Sequence, residues 1–174
     1  MGIKGKFEKY VEGIVWRYVN VISHALRESE PTTPWLPTIK VTLDEGAKLP
    51  VRAHDTDAGA DLCCREGVTI APGDSALVDT GVHVELPRGT TGMLKSKSGL
   101  NCMQAMTTTG VIDEGYTGPI KVRVYNHGAF PKELRAGDKV TQLVVMPVAY
   151  PTYERAEEIS GGERGDSGFG SSGK

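Results

Sequence analysis

The stretch 75-SALVDTGVHVEL-86 decides the fold class. Its apolar residues are mostly β-branched and tend to alternate with polar ones, as in a half-buried strand. Three further stretches have the same character: 38-TIKVTL-43, 119-PIKVRVYN-126 and 139-KVTQLVVMPV-148. Gly, Pro and Asp turns separate them, among them 71-APGD-74, 87-PRGT-90 and 136-AGD-138. Many short strands with no helical pattern between them predict an all-β sandwich or barrel.

The flanks of this strand-rich region differ from it. Residues 3–27 carry an apolar stripe at steps of three and four residues, which predicts an amphipathic helix that packs on its own core or on a sister subunit. The three prolines of 30-EPTTPWLP-37 end that helix and form a linker. After Tyr150 the strand pattern fades into the glycine-rich tail 163-ERGDSGFGSSGK-174. The expected parts are an N-terminal helical extension with its linker (1–37), a β-barrel (38–150) and a C-terminal arm (151–174).

The composition excludes several classes of protein. A formal net charge of -2 over 174 residues argues against a dedicated nucleic-acid binder. Cys63, Cys64 and Cys102 are odd in number and form no C-x-x-C pair, so they fit neither a disulfide framework nor a zinc site. No apolar run approaches the roughly 18 residues that span a bilayer, and charges interrupt the N-terminal segment where a signal peptide would be apolar. These features predict a cytoplasmic protein that binds neither membrane nor nucleic acid stably.

The segment 107-TTTGVIDEGYTG-118 carries the sharpest chemical signal. A strand-like run leads to Asp113, and the turn pair Glu114-Gly115 follows. Asp113 either caps this turn or acts as a general base that holds a water against an electrophile. Tyr116 is either an ordinary half-buried aromatic or a flat wall for a ligand.

Three other segments carry polar groups in ligand-binding patterns. The stretch 95-KSKSGL-100 offers backbone N–H groups, a hydroxyl and cations, which together suit a phosphate, although basic turns are common on any surface. Gln142 lies within an apolar strand, where it is either a structural hydrogen-bonding group or a donor to a ligand. In the tail, Arg164 offers a two-pronged contact for phosphate and Phe169 a face for a planar ring; plain disorder is the alternative.

The order of these segments resembles a known family. Together they are similar to the five ordered motifs of the trimeric dUTP pyrophosphatases (dUTPases), over roughly residues 38 to 174. The matching stretches are 58-AGADL-62, 97-KSGL-100, 110-GVIDEGYTG-118, 137-GDKVTQLV-144 and 164-RGDSGFGSSG-173. The resemblance implies a jelly-roll-like β-barrel, a homotrimer, and Mg²⁺-dependent hydrolysis of dUTP to dUMP and pyrophosphate.

The resemblance also implies roles for individual residues. Asp113 would activate the water that attacks the α-phosphorus, and Tyr116 would stack beneath the deoxyribose. Asp61 would lie in the outer shell of a Mg²⁺ ion that the phosphates and waters hold, with no direct protein ligand. The arm would close over the bound triphosphate. The implied substrate-binding residues are Lys97, Ser98, Gly99, Thr107, Gly110, Val111, Ile112, Tyr116, Lys121, Asn126, Gln142, Arg164, Phe169, Gly170, Ser171 and Ser172.

Two alternatives and one departure accompany this interpretation. A dCTP deaminase, or a bifunctional deaminase, would share the fold, but it needs a glutamate on the strand after the turn, and Arg123 stands about there. A non-catalytic regulator could keep the barrel, but it would have no chemical need for Asp113, Tyr116 and Phe169 together. Lys97 stands where the family usually has arginine; lysine keeps the charge but loses the planar two-pronged contact.

Overall fold

A computed structural model of the chain describes residues 38–159 and Gly162. The predicted N-terminal helix and its linker lie outside the described residues. So do the five residues of the arm with implied binding roles: Arg164, Phe169, Gly170, Ser171 and Ser172.

The regular secondary structure of the described part of the chain consists almost entirely of strands, which confirms the all-β prediction. Between β6 and β7 lies one π-helical turn, Gly99–Met103. No helix within residues 38–159 is long and apolar enough to cross a membrane. The strands are β1 (Lys40–Leu43), β2 (Ala60–Cys63), β3 (Val68–Ile70), β4 (Ser75–Asp79), β5 (Val82–Glu85), β6 (Thr90–Lys95), β7 (Met106–Ile112), β8 (Lys121–Asn126), β9 (Lys132–Leu134) and β10 (Lys139–Pro147).

Six of the strands form one antiparallel sheet that curls into a half-barrel, in the order β2-β10-β6-β7-β8-β4. Two-stranded sheets, β1 with β5 and β3 with β9, accompany it. Strands distant in sequence are therefore neighbours: β10 lies between β2 and β6.

The core lies on the inward face of these sheets. In β8 the buried residues Val122, Val124 and Asn126 alternate with exposed ones, as the period of two predicts. Each fully buried aliphatic side chain contributes roughly 1.5–3 kcal/mol, so this face holds the half-barrel together. The largest fully buried apolar side chains are Leu62, Ile70, Leu94, Met106, Ile120, Val82, Val122, Val124 and Val140.

The stretch 75–86 forms two strands in different sheets rather than one long strand. The break falls at Thr80 and Gly81, where Gly81 adopts a φ of 62° that favours glycine. The carboxylate of Asp79 accepts a hydrogen bond from the Gly81 N–H at 2.8 Å and stabilises the bend. As a result β4 pairs with β8, whereas β5 pairs with β1.

Candidate active site

Asp113 stands at the end of β7, on an exposed turn. The N–H of Tyr116 donates to the Asp113 carbonyl at 3.1 Å and closes the turn. Gly115 has a φ of 85°, a conformation that side-chain-bearing residues rarely adopt. We call residues 113–118 the carboxylate turn; it holds an exposed carboxyl group at a fixed point, where a water molecule can reach it.

The ring of Tyr116 lies across this turn. Its hydroxyl donates to the carbonyl of Pro119 at 3.0 Å, and the residue is 45% exposed. A Cβ at Gly118 would lie 2.7 Å from Tyr116 Cζ, so only glycine leaves room for the ring in this position. The ring is thus fixed at its tip and half open to solvent, which suits the wall predicted from the sequence.

The hairpin behind the turn opens toward its tip. Pairing between β7 and β8 runs from Met106 opposite Asn126 to Thr109 opposite Arg123, and within residues 38–159 it goes no further. Beyond it, Gly110, Val111 and Ile112 pair with β6, while β8 continues along β4. The two strands therefore diverge beside the carboxylate turn. Backbone N–H and C=O groups at such an opening can bind a ligand.

Glu114 connects the carboxylate turn by hydrogen bonds to the residue before β6 and to the segment after β10. Its carboxylate accepts hydrogen bonds from the Gly89 N–H at 2.7 Å and from the Tyr150 hydroxyl at 2.5 Å. The hydrogen bond from Tyr150, followed by that from Gly89, lowers the pKa of Glu114. An open groove of about 720 Å³ adjoins this contact, and its lining includes Asp113 and Arg88.

A second group of charged residues surrounds Asp61 on β2. Lys139 Nζ lies 2.8 Å from one carboxylate oxygen of Asp61, and Lys97 donates to the other. We call these three residues the lysine–aspartate cluster. The side chain of Asp61 is 9% exposed, whereas those of Lys97 and Lys139 are 27% and 49% exposed. One buried anion thus holds two ammonium groups near the surface, where the cluster can bind phosphate.

The two lysines decide the protonation of Asp61. Burial raises its pKa, but the hydrogen bonds and charges of Lys139 and Lys97 outweigh that effect, and the pKa is lowered. Asp61 is therefore ionised at neutral pH and balances one of the two ammonium charges. The cluster as a whole carries a net positive charge.

Gln142 lies beside this cluster because β10 runs next to β2. It is paired with Asp61 on one side and with Lys95 on the other. Its amide donates to the carbonyl of Ser96 at 3.2 Å, and a Cβ at Gly59 would lie 2.8 Å from its Oε1. The glycine of the first motif thus makes room for the glutamine of the fourth.

Ser98 and Gly99 extend the cluster along the chain. They follow Lys97 at the start of the π-helical turn, and Gly99 has open space where a side chain would be. The structure therefore brings Asp61, Lys97, Ser98, Gly99 and Gln142 to one end of the sheet, as the motif order implies.

The same structure separates this end of the sheet from the carboxylate turn. In the β6–β7 register, Lys95 faces Thr109 and Gly92 faces Ile112, so Asp113 comes after the far end of that pairing. At about 3.3 Å per residue, Asp113 is roughly 13 Å along the strands from the row of Lys95, and Lys97 lies further on. A single chain therefore holds the two groups at opposite ends of the β6–β7 hairpin.

Three predicted binding residues on the hairpin already have structural partners. Asn126 is 1% exposed, and its amide donates to the carbonyls of Ile70, Ala71 and Phe130. Its side-chain oxygen and its backbone groups are also hydrogen-bonded, so Asn126 is a structural residue and we do not retain it as a contact. The hydroxyl of Thr107 pairs with His127 at 2.8 Å, and Lys121 pairs with Asp79 at 3.6 Å.

Three residues of the site were missed by sequence reasoning. Lys139 stands inside the fourth motif, 137-GDKVTQLV-144, and its charge was a usable signal. Glu114 looked like a turn residue only, since its partner Tyr150 is 36 residues away. His83 contacts the carboxylate turn from β5, and nothing in its local pattern indicates that contact.

The curled antiparallel sheet, the exposed carboxylate turn and the cationic cluster together define an all-β protein with groups suited to phosphate chemistry. Comparisons with known proteins identify the family to which the chain belongs. The family model described as dUTPase matches residues 45–173, and the chain belongs to the dUTPase family.

Curated relatives and solved structures agree with this assignment. The deoxyuridine 5'-triphosphate nucleotidohydrolase of Nocardia farcinica is 44% identical over 135 residues, which is 75% of this chain and 82% of the relative. That of Clostridium tetani is 41% identical over 141 residues, which is 79% of this chain and 97% of the relative.

Among solved structures, the dUTPase of Staphylococcus bacteriophage 80alpha with dUPNHPP is 31% identical, with a TM-score of 0.74, and covers 80% of this chain and 100% of its own. A mutant dUTPase from phage phi11 of S. aureus, described with a structural Mg(II) ion, is 29% identical, with a TM-score of 0.67, and covers 72% of this chain and 100% of its own.

Proposed function

We propose that this chain hydrolyses dUTP to dUMP and pyrophosphate at a site assembled from different subunits of a homotrimer. The separation of the carboxylate turn from the lysine–aspartate cluster carries this proposal. Both groups must contact one substrate, because the attacked α-phosphorus is only two bonds from the next phosphorus of the chain. A single protomer cannot bring them together, but a closed symmetric ring can place the cluster of one subunit against the turn of the next. Within each subunit, residues 38–150 would form the jelly-roll-like barrel that the family resemblance implies.

The reaction class rests on the family and on the relatives. The chain belongs to the dUTPase family, and its curated relatives bear the name deoxyuridine 5'-triphosphate nucleotidohydrolase. The structure agrees with that chemistry, since phosphoryl attack needs an aligned water and cations around the phosphates.

At the carboxylate turn, Asp113 would hold and deprotonate the attacking water. Tyr116 would stack beneath the sugar and exclude a 2′-hydroxyl. The opening of the hairpin at Gly110, Val111 and Ile112 supports reading of uracil by backbone groups. Such polar groups reject a wrong base strongly, since the wrong base leaves them unpaired.

At the lysine–aspartate cluster, Lys97 and Lys139 would bind phosphate oxygens, with Ser98, Gly99 and Gln142 beside them. Lys139 supplies a second cation, which offsets the loss of a planar contact at Lys97. Both oxygens of Asp61 are already engaged by ammonium groups, so the residues present suit a Mg²⁺ ion bound by phosphate and water, with Asp61 in its outer shell. When bound, Mg²⁺ would neutralise charge on the triphosphate.

The C-terminal arm would complete the site. Arg164 would contact the outer phosphates and Phe169 would cover the uracil, while Gly170, Ser171 and Ser172 close over the triphosphate. We place the enzyme in the cytoplasm, where Cys63, Cys64 and Cys102, all free in the structure, would stay reduced.

A substrate panel tests the reaction. Pyrophosphate and ammonia release are measured with dUTP, dCTP, dTTP and UTP for the wild type, for Asp113→Asn, and for the control Glu133→Gln, an exposed carboxylate paired with Arg135. We expect pyrophosphate from dUTP only, nearly abolished by Asp113→Asn and unchanged by the control. Ammonia from dCTP would overturn the proposal in favour of a deaminase.

A deletion tests the arm. Removing residues 163–174 should abolish most turnover and leave the melting temperature nearly unchanged. A large loss of stability would show that the arm is structural.

A further inference from the structure

His83 on β5 joins the back of the carboxylate turn to the rest of the barrel. Its Nδ1 lies 2.7 Å from the carbonyl oxygen of Thr117, the residue that follows Tyr116. Its Nε2 lies 3.2 Å from a carboxylate oxygen of Asp44, on the loop after β1. One imidazole ring thus bridges the turn and a second loop.

The hydrogen-bonding capacity of the ring favours one charge state in this arrangement. A carbonyl oxygen and an ionised carboxylate only accept hydrogen bonds. A neutral imidazole has one N–H and can donate to only one of them, whereas the imidazolium donates to both. The observed pair of contacts is therefore satisfied by protonated His83.

The surroundings of the ring favour that charge. The hydrogen bond to Thr117, and then Asp44 and Asp79, raise the pKa of His83. Two cations also face this region, but each is paired with the same acids: Arg65 with Asp44 and Asp79, and Lys121 with Asp79. The side chain of His83 is 24% exposed, so the ring exchanges protons with solvent.

We propose that His83 is a positioning residue: its protonated ring holds the Thr117 carbonyl and thereby fixes the turn that carries Asp113 and Tyr116. Loss of the proton leaves either the Thr117 carbonyl or the Asp44 carboxylate without a donor, and so weakens the bridge that joins the turn to the loop after β1. This inference rests on the proposed function only in that the turn carries the catalytic carboxylate.

The direction of the pH dependence follows from the raised pKa of His83 in the folded protein. In the folded state the pKa of His83 is raised above its ordinary value of about 6.5. The stabilising contribution of the protonated ring is therefore fully present below pH 6.5. It is lost as the pH rises through the folded-state pKa. Removing one hydrogen bond of this kind should lower kcat/KM by roughly three- to tenfold.

The test compares pH profiles of kcat/KM for dUTP in the full-length protein. The variants are His83→Gln, which keeps one neutral donor at every pH, and Asp44→Asn, which removes the facing charge. His54→Gln is the matched control, since His54 forms an exposed pair with Asp57 in a different loop. We expect the wild type and the control to share an alkaline decline, Asp44→Asn to show it at lower pH, and His83→Gln to lack it.

A second readout does not depend on turnover. The amide resonances of residues 116–118 should titrate with the His83 ring in the wild type, and should not do so in His83→Gln. The inference is overturned if His83→Gln keeps the wild-type decline, or if the turn resonances are insensitive to the ring. A wild type that does not hydrolyse dUTP would refute the proposed function alone, and the resonances would still decide the role of His83.

Discussion

Replacement of Asp61 by asparagine tests the lysine–aspartate cluster. The carboxylate is nearly buried and accepts hydrogen bonds from two ammonium groups, Lys97 and Lys139. Asparagine has nearly the same shape but no charge, so the two ammonium groups would face each other without an anion between them. We expect lower stability at neutral pH.

The size of this effect follows from burial. Each hydrogen bond to a charged group contributes about 1.5–3 kcal/mol to the free energy of unfolding, and its removal loses that amount. Both lysines are partly exposed, so solvent screens the pairs, and asparagine keeps one acceptor. We therefore expect the free energy of unfolding to fall by about 2 kcal/mol at pH 7.

The lowered pKa of Asp61 predicts how the stability difference between Asp61→Asn and the wild type changes with pH. Since the pKa of Asp61 is lowered in the folded state, its contribution is fully present above its ordinary pKa of about 4. It is lost as the pH falls through the folded-state value, where the wild-type carboxyl group becomes neutral like asparagine. The difference between the two proteins should narrow toward acid.

The assay is urea unfolding at one fixed protein concentration, from neutral pH down to the lowest pH at which the wild type remains folded. Glu66→Gln, an exposed carboxylate on the loop after β2, is the control and should change little. Equal stability of Asp61→Asn and wild type at pH 7, or a difference that does not shrink in acid, would refute the reasoning.

Three further substitutions test separate contacts. Asn126→Ala removes the shared donor of three carbonyls, of which that of Ile70 is buried, and should lower the free energy of unfolding by about 1–3 kcal/mol in urea, whereas a change near zero would contradict the structural role. Gly92→Ala places a Cβ 2.7 Å from Leu143 Cδ1 and should lower stability by about 1–3 kcal/mol in the same assay, whereas an unchanged midpoint would exclude tight packing there. Tyr150→Phe should raise the pKa of Glu114, measured by NMR titration, and a pKa that stays low would show that the hydrogen bond is unimportant.

Local sequence patterns predicted strands well where one face of the strand is buried and the other is exposed. The alternation of β8 identifies its buried face because the period of two is a local property. The same pattern failed to divide 75–86, since one glycine within an apolar run does not reveal that the two halves join different sheets. Asn126 was expected to contact a ligand only because the family resemblance implies it, yet its amide donates to Ile70, 56 residues away, as well as to the nearby Phe130.

The arrangement of the site depends on non-local pairing, which no local pattern encodes. The motifs mark Asp61, Lys97 and Asp113 as candidate functional residues. Only the register of β6 against β7, and the place of β10 beside β2, shows that Asp113 lies apart from the other two. The contact of His83 with Thr117 joins residues 34 apart and is equally hidden.

Subunit mixing tests the central claim, a site shared between subunits, most directly. Asp113→Asn keeps the cluster, and a Lys97→Ala/Lys139→Ala double variant keeps the turn; each alone should be nearly inactive. After the two are unfolded together and refolded at equal amounts, independent assortment should restore about one quarter of wild-type dUTP turnover, since half of the turns and half of the facing clusters are intact. No recovery in mixed oligomers of confirmed composition would contradict the claim and place the whole site within one protomer.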